Sequence, residues 1–288
     1  MRAAVLIVLV SMLGTVQGAD RIQVHGHRGA RAVLPENTLP AFEYAIQAGV
    51  DVLELDLSVT KDDVLMVSHD PHMNTDICSH PDPAWETKNS KDRAIRNLTY
   101  AQVREWDCGA KKNPGFPKQK PVPGTKMPTL EEVLRLAKKG YFLFNIETKI
   151  SPMQPELTPS PKQFAELVLA AVRKYKLEDR VILQSFDFRT LHAMKKIAPE
   201  IKLSALDGFG QGPFPKVAER AKATIISPEK RLVTPEQVEA AHKAGLQVVP
   251  WTANEPAEWD KLVAAKVDAI ITDDPAALIQ YLKQKKLR

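Results

Sequence analysis

The sequence predicts an α/β fold, a closed (β/α)8 barrel of parallel strands with one inserted capping segment. Short apolar runs alternate regularly with amphipathic segments along the 288-residue chain. This length suits a barrel of ~250 residues that carries an insertion. No second block of different composition indicates another domain. An open doubly wound sheet is the alternative that the same alternation allows.

The predicted elements follow one another as strand and helix. The N-terminal half begins with an apolar strand that ends at His27, then a helix over 38–48, a strand over 50–59 and a short extra strand over 64–67. Later helices are predicted over 130–138, 161–175, 187–197, 214–222, 234–244, 255–264 and 275–283, and later strands over 141–146, 181–184, 201–205, 223–226, 246–249 and 269–271. With the extra strand set aside, this pattern gives eight major strands.

The first eighteen residues have the pattern of a secretory signal peptide. Arg2 precedes an apolar run from Ala3 to Leu13, and small or polar residues follow as far as Gly18. The apolar run is too short to span a bilayer, and a retained membrane anchor is the alternative. We therefore expect a signal peptide over 1–18, a single mature domain over 19–288, and a periplasmic or secreted protein without stable membrane insertion.

Both cysteines lie in a segment with little strand–helix periodicity. This segment, about 72–127, is rich in Pro, Asp, Lys and Asn, and contains Cys78 and Cys108. We predict that it is an insertion that caps the mouth of the barrel, where long loops usually carry function. In an oxidising compartment we expect a disulfide between the cysteines. Two free buried thiols are the alternative, because a sequence does not contain the geometry of a disulfide.

The charges of the chain indicate a small anionic substrate and not a nucleic acid. The formal net charge is +5, and the basic residues are scattered along the sequence. Nucleic-acid binding would require a concentrated basic stripe. A modest positive bias favours the approach of anionic small molecules. The sequence leaves the oligomeric state open.

Three carboxylates are candidates for binding a divalent cation. Glu54 and Asp56 alternate along one predicted strand and therefore point to the same face. Glu147 closes the strand predicted over 141–146. Apolar neighbours indicate that Glu54 and Asp56 are buried, so a cation must lie near them. An all-oxygen ligand set suits Ca²⁺ or Mg²⁺ and not zinc. Acids paired with Arg or Lys are the alternative.

Two histidines and two cationic side chains complete the candidate site. His27 and His69 lie near the ends of different strands, where α/β folds build active sites. Imidazole exchanges protons near neutral pH, so we predict that they form a general acid/base pair. The sequence assigns neither role to a particular histidine. Arg28 and Lys149 supply fixed positive charges for a phosphate.

Two neighbouring polar residues are placed outside the catalytic set. His25 lies two residues before His27, on the same predicted strand face. Asp70 precedes Pro71 and is interpreted as a residue that organises the turn.

Several short motifs occur in a fixed order along the chain. They are H-R-G at 27–29, P-E-N-T at 35–38, E-L-D at 54–56, H-D at 69–70, E-T-K at 147–149, Q-S-F-D at 184–187, W-T-A-N at 251–254 and T-D-D-P at 272–275. Each motif alone is weak evidence, whereas the ordered set covers nearly the whole mature chain and is specific. The set resembles the signature of the glycerophosphodiester phosphodiesterase family, in its exported type.

The resemblance implies a metal-dependent enzyme. The positions that Glu54, Asp56 and Glu147 match are the ligands of a divalent cation in that family. The implied reaction is hydrolysis of glycerophosphodiesters to glycerol 3-phosphate and an alcohol, through a cyclic phosphate formed by the glycerol 2-hydroxyl. The resemblance also implies that Phe186 and Trp251 line the pocket against the glycerol carbons, for which core packing is the alternative.

Two other functions remain open from the sequence. A lysophospholipase D or sphingomyelinase D relative would share the barrel and the polar residues, and would carry exposed apolar loops in the insertion. A non-catalytic glycerophosphodiester-binding module would have lost a histidine or a metal-binding acid, and the sequence retains all of them.

Overall fold

The computed structural model describes residues 21–288, so the predicted signal peptide over 1–18 lies outside the described residues. The strands are β1 (Gln23–Gly26), β2 (Val52–Val59), β3 (Leu65–Val67), β4 (Leu143–Thr148), β5 (Val181–Ser185), β6 (Lys202–Asp207), β7 (Ile225–Pro228), β8 (Gln247–Val248) and β9 (Ala269–Thr272). The helices are α1 (Leu39–Ala48), α2 (Ala84–Thr87), α3 (Tyr100–Val103), α4 (Leu130–Leu134), α5 (Pro161–Tyr175), α6 (Phe188–Ile197), α7 (Phe214–Ala221), α8 (Pro235–Lys243), α9 (Pro256–Ala264) and α10 (Pro275–Gln284).

The strands other than β3 form a parallel barrel. Their order is β8-β7-β6-β5-β4-β2-β1-β9, and β3 pairs with β2 in the antiparallel sense outside this path. Backbone hydrogen bonds join the two ends of the path, because Asp268 N donates to Val248 O at 3.1 Å and Ala253 N donates to Ile271 O at 3.0 Å. The predicted (β/α)8 barrel is therefore confirmed, and the alternative of an open sheet is wrong.

Strand β2 shows how the sequence pattern builds the barrel wall. Every residue of this strand is buried. Leu53, Leu55 and Leu57 belong to the main hydrophobic core, whereas Glu54 and Asp56 line a pocket inside the barrel mouth. Because successive side chains of a strand point to opposite faces, the leucines pack outwards and the acids point inwards.

Capping residues define where the long helices begin. Thr38, Ser160, Thr234 and Asp274 each accept a hydrogen bond from a backbone N–H in the first turn of α1, α5, α8 and α10, respectively. A proline occupies the first or second position of each of these helices. Such a position needs no N–H donor, so proline fits there and fixes the start of the helix.

Most predicted element boundaries lie within two residues of the observed ones, and the two most informative differences occur in α4 and β4. The helix predicted over 130–138 ends as an α-helix at Leu134 and continues as a 3₁₀ turn, Arg135–Lys139, as tightened helix ends commonly do. Strand β4 extends to Thr148, beyond the apolar run that predicted it. Glu147 therefore lies within β4, where it is directly opposite Asp56 of the neighbouring strand β2.

The segment over 72–127 lies between β3 and α4 and has a hydrophobic cluster of its own. Its buried members include Met73, Ile95, Leu98, Val103 and Trp106. A disulfide joins Cys78 to Cys108 within this segment. Across residues 21–288, none of the helices combines the length and hydrophobicity that spanning a bilayer requires.

Candidate active site

One pocket at the carboxyl ends of the barrel strands contains every side chain that the sequence predicts for catalysis, metal binding and substrate binding. It is lined by His27, Arg28, Glu54, Asp56, His69, Glu147, Lys149, Phe186 and Trp251, among others. These residues belong to β2 and β4 or to the loops that follow β1, β3, β4, β5 and β8. The carboxyl end of the strands is the face at which barrel enzymes place their active sites.

The three predicted acids converge in this pocket. One carboxylate oxygen from each of Glu54, Asp56 and Glu147 lies within 4.8 Å of the others, and all three residues are buried. Gln184 Nε2 donates a hydrogen bond to Glu54 Oε1 at 2.8 Å, and Asn37 Nδ2 donates to Asp56 Oδ2 at 3.0 Å. Neutral amides therefore hold two of the acids in place without cancelling their charge.

Arg28 and Lys149 face the same acids. Lys149 Nζ lies 2.9 Å from Glu147 Oε1 and 3.8 Å from Asp56 Oδ1. Arg28 Nε lies 3.2 Å from Asp56 Oδ2, and the backbone N–H of Arg28 donates to Glu54 Oε2 at 2.9 Å. The backbone of Arg28 has a φ of 49°, in the left-handed region that costs a non-glycine residue about 1 kcal/mol or more.

The electrostatics of the acids are uneven. Burial, reinforced by the nearby Asp56 charge, raises the pKa of Glu54 well above its usual value. Burial likewise raises the pKa of Glu147, although Lys149 opposes this shift. Burial also opposes ionisation of Asp56, but Arg28 and Lys149 outweigh it and hold the pKa of Asp56 below its usual range. Arg28 and Lys149 therefore do not supply enough positive charge to stabilise all three acids in the ionised form.

A divalent cation fits this cluster. The three acids exceed the two cations by one charge, and the part of the chain that the structure describes places no Lys or Arg side chain within salt-bridge distance of Glu54. An all-carboxylate set of donors is the chemistry that Ca²⁺ and Mg²⁺ prefer. The alternative, in which the buried acids are only paired with Arg or Lys, accounts for the burial of Asp56 and Glu147. It does not account for the burial of Glu54.

His27 is fixed in the pocket by a carboxylate. Its Nδ1 lies 2.5 Å from Oδ1 of Asp273, and its Nε2 lies 4.0 Å from Oε2 of Glu54. Burial opposes ionisation of Asp273, but the contact with His27 lowers the pKa of this acid below its ordinary value. Burial also lowers the pKa of His27, against the attraction of Asp273. An ionised Asp273 accepts a hydrogen bond from Nδ1–H, and this favours the tautomer in which Nε2 has the free lone pair.

His69 has a matching partner. Its Nδ1 lies 2.9 Å from Oδ1 of Asp70, and Asn74 Nδ2 donates to the other oxygen of Asp70 at 2.7 Å. Burial opposes ionisation of Asp70, but the hydrogen bond with His69 lowers its pKa to about 2. Asp70 thus orients His69 directly, which adds to the turn-organising role predicted for it.

Two aromatic side chains form one wall of the pocket. The rings of Phe186 and Trp251 meet edge to face with centroids 5.5 Å apart. Gly208 lies against both rings, since a Cβ on this residue would stand 3.3 Å from Phe186 and 3.6 Å from Trp251. Trp251 Nε1 donates to Ser227 O at 2.8 Å. The two rings therefore present apolar surface to the pocket and are not buried in the core.

Comparisons with known proteins agree with the geometry. The sequence profile of the glycerophosphoryl diester phosphodiesterase family matches residues 27–277. The chain is 33% identical over 261 residues, 91% of its length and 98% of the relative's, to a glycerophosphodiester phosphodiesterase of Caldanaerobacter subterraneus subsp. tengcongensis. The chain belongs to this family.

Solved structures of family members share the fold. A glycerophosphoryl diester phosphodiesterase homologue from Silicibacter pomeroyi is 33% identical, with a TM-score of 0.85 over 92% of this chain and 94% of that one. A phosphodiesterase from Oleispira antarctica, solved in complex with the product sn-glycerol-3-phosphate, is 20% identical, with a TM-score of 0.75 over 91% of this chain and 96% of that one. The predicted membership of this enzyme family is confirmed.

Several residues that build the site were given no catalytic or binding role from the sequence, and Glu36 and Asn37 were expected only to help start α1, which Thr38 caps. Asp273 orients His27, Gln184 and Asn37 hold acids, and Glu36 accepts from Arg28 Nη1 at 2.5 Å. All four lie in the motifs that carry the family resemblance. The motifs therefore marked these positions, but only the three-dimensional contacts show what each side chain touches.

His25 is buried in the barrel and is not among the residues that line the pocket. Its Nδ1 has no hydrogen-bond partner in residues 21–288. Burial lowers the pKa of His25 from 6.5 to about 4, although Asp51 opposes the shift. The native state therefore resists taking up a proton that the unfolded chain accepts at pH 6.5.

This difference predicts a pH dependence of stability. As the pH falls from 7 to 4, the unfolded chain binds a proton at His25 before the native state does, so the free energy of unfolding decreases. We expect wild type to lose about 3 kcal/mol relative to His25→Leu over this range. Urea denaturation of both proteins at stepped pH measures the difference. Parallel stability curves would contradict the prediction.

Proposed function

We propose that this chain hydrolyses glycerophosphodiesters to glycerol 3-phosphate and an alcohol with the help of one divalent cation, Ca²⁺ or Mg²⁺. The observation that carries the proposal is the convergence of His27, His69 and the three acids in one pocket. Arg28 and Lys149 line the same pocket and add positive charge for a phosphodiester. Acid, base and charge stabilisation are the three requirements of phosphodiester cleavage.

Glu54, Asp56 and Glu147 would hold the cation in this proposal. When bound, it would supply positive charge to the phosphoryl oxygens, as divalent cations do in phosphoryl chemistry. Arg28 contributes a permanently charged guanidinium to the phosphate. Lys149, buried against Glu147 and Asp56, retains its proton, because these acids outweigh burial and raise its pKa.

The two histidines would exchange roles between two steps. His27 Nε2 takes the proton of the glycerol 2-hydroxyl, whose oxygen attacks phosphorus, and His69 gives a proton to the departing alcohol oxygen. The cyclic phosphate is then opened by water, with His69 removing the water proton and His27 returning a proton to the 2-oxygen. The imidazole of His69 is 36% exposed and that of His27 is 13% exposed. The leaving alcohol therefore exits on the side of His69.

The aromatic wall supports a glycerol substrate. The exposed faces of Phe186 and Trp251 offer apolar contact to the carbon atoms of the glycerol moiety. Because only the glycerophosphate half contacts this set of residues, the alcohol half can vary.

The Cys78–Cys108 disulfide and the N-terminal sequence pattern support a periplasmic or secreted location.

A lysophospholipid substrate is a second candidate, favoured by exposed apolar residues at the same end of the barrel. Met153 and Phe209, in the loops after β4 and β6, are 86% and 90% exposed. The insertion itself does not provide the expected apolar surface, because Trp106 is fully buried. A lipid surface would contact the barrel loops instead.

Release of glycerol 3-phosphate from glycerophosphocholine tests the proposal. We expect activity in Ca²⁺ or Mg²⁺, loss of activity in excess chelator, and recovery when one of the two cations is restored. Choline release, measured with lysophosphatidylcholine and with glycerophosphocholine under the same conditions, separates the second candidate. Full activity in chelator would contradict the metal requirement, and no release with either cation would contradict the proposed reaction.

A further inference from the structure

The insertion is attached to the loop that carries Arg28. We name residues 27–38, between β1 and α1, the Arg28 loop, and residues 113–120 of the insertion the brace. Lys120 N donates to Val33 O at 2.9 Å, and the Arg31 guanidinium stacks over the Phe116 ring at 4.8 Å. These contacts join two segments that are far apart in the sequence.

Gln119 is the buried centre of the brace. It is only 2% exposed, and its Nε2 donates to Arg31 O at 2.8 Å and to Leu34 O at 3.2 Å. Its Oε1 accepts from the backbone N–H of Asn113 at 2.9 Å. Gln119 thus fixes the backbone of the Arg28 loop and places Asn113 beside it.

Asn113 connects the brace to the pocket through one carboxylate. Its Nδ2 donates to Glu36 Oε2 at 2.6 Å, the oxygen that Arg31 Nε also contacts at 2.8 Å. The other oxygen of Glu36 accepts from Arg28 Nη1 at 2.5 Å. The side chains of Glu36 and Arg28 are only 7% and 8% exposed. With both of its oxygens occupied, Glu36 has little freedom to turn, and the guanidinium of Arg28 is fixed with it.

The Arg28 guanidinium keeps one donor group for a ligand. Nη1 donates to Glu36, and Nε lies 3.2 Å from Asp56 Oδ2 without forming a hydrogen bond, whereas Nη2 has no hydrogen-bond acceptor within residues 21–288. Arg28 lines the pocket. A guanidinium held on two sides loses little conformational freedom when it binds an anion, which increases affinity.

We propose that Asn113 is a positioning residue for phosphate binding, acting from the insertion through Glu36 on Arg28. The inference rests on the proposed function only in taking a phosphate as the ligand of Arg28. It gives the insertion a role in the site although the side chains of the brace do not line the pocket.

A double-mutant cycle tests this inference with inorganic phosphate as the probe, in the presence of Ca²⁺. We expect Asn113→Ala to weaken phosphate binding by about 10-fold, because a hydrogen bond to a charged group is lost. In an Arg28→Ala background the same substitution is expected to change the Kd by less than about twofold. Asn97→Ala is the matched control, since Asn97 lies in the same insertion and its Nδ2 donates to Lys91 O at 3.0 Å.

Two further measurements separate an effect on the Arg28 loop from a general effect of substitutions in the insertion. Hydrogen exchange of the Arg28 loop is expected to be faster in Asn113→Ala than in Asn97→Ala. In turnover assays, Asn113→Ala is expected to lower kcat/KM for glycerophosphocholine to the extent that it weakens phosphate binding. An equal effect of Asn113→Ala in both Arg28 backgrounds, or an effect no larger than that of Asn97→Ala, would overturn the inference. A wild-type protein that binds phosphate but cleaves no glycerophosphodiester would refute the proposed function alone.

Discussion

Glu54→Gln is expected to remove stabilisation by divalent cations and to lower turnover roughly 10³-fold, since a bound cation supplies several kcal/mol of charge stabilisation. Glu54 is the acid that the nearby cations neutralise least. Within residues 21–288, the donors that contact its oxygens at hydrogen-bond distance are both neutral, Gln184 Nε2 and the Arg28 N–H. An amide at this position keeps the size of the side chain and removes the charge that a cation needs.

The barrel is expected to tolerate this substitution. The new amide must accept from the Arg28 N–H and donate towards Gln184, which then has to turn its own amide around. Asn145 Nδ2 now donates to Gln184 Oε1 at 2.8 Å, and Asn145 Oδ1 is buried without a hydrogen-bond partner in the described part of the chain. By turning its amide, Asn145 can accept from the reversed Gln184. The chain of amides can therefore invert and leave the new residue satisfied.

Thermal or urea unfolding with and without Ca²⁺ provides the measurement. At a Ca²⁺ concentration 100 times the Kd, wild type should gain about 2.7 kcal/mol and the variant almost nothing. In the metal-free native state the pKa of Glu54 is raised above its pKa in the unfolded chain. The free energy of unfolding therefore decreases as the pH rises above the unfolded-state pKa, because the unfolded chain releases this proton first. Metal-free Glu54→Gln should therefore be at least as stable as wild type at neutral pH.

Glu43→Gln is the control for this prediction, because Glu43 lies on the surface and pairs with Lys139 at 2.9 Å. It should keep both turnover and the response to Ca²⁺. Stabilisation of Glu54→Gln by Ca²⁺ to the wild-type extent would show that the cation, if it binds, does not use this carboxylate.

Local periodicity explains why the barrel and its acids were predictable from the sequence. Strand β2 alternates leucines with Glu54 and Asp56, and that alternation fixes which face each acid occupies. The end of β4 was harder to predict from the sequence, because backbone pairing with β2 continues into Glu147 and Thr148 after the apolar run has ended. Pairing of this kind depends on the neighbouring strand and leaves no trace in hydrophobicity.

Contacts between distant residues could not be predicted in the same way. Gln184 reaches Glu54 across 130 residues, Asn113 reaches Glu36 across 77, and Asp273 reaches His27 across 246. Which polar side chains meet inside a barrel depends on its closure and on the stagger of its strands. These pairings explain how the site is held together, whereas the sequence motifs indicated only the residues that carry the chemistry.

Asp273→Asn is expected to lower kcat about as much as His27→Ala, by roughly 10³-fold, the scale of general acid–base catalysis. The reason lies in Asn254. Its Oδ1 accepts from the backbone N–H of Asp273 at 2.9 Å and from Thr272 Oγ1 at 3.2 Å. Its Nδ2 donates to Asp273 Oδ2 at 2.7 Å. With its oxygen held by two donors, Asn254 cannot turn its amide around.

An asparagine at position 273 must therefore point its oxygen at Asn254 and its amide group at His27. His27 Nδ1 then accepts a hydrogen bond where it donated before, and the imidazole proton moves to Nε2. In this tautomer Nε2 has no lone pair with which to take the proton of the glycerol hydroxyl. The substitution changes one heavy atom, so the loss of activity comes from the tautomer and not from misfolding.

Nitrogen NMR of the His27 ring and the pH profile of kcat test this account together. We expect the ring proton on Nδ1 in wild type and on Nε2 in Asp273→Asn, with kcat reduced across the pH range. Asp274→Asn is the matched control, because Asp274 caps α10 and asparagine is an equally good helix cap. An Asp273→Asn protein that keeps wild-type kcat, or that loses activity with the proton still on Nδ1, would show that Asp273 does not set the tautomer of the proposed base, His27.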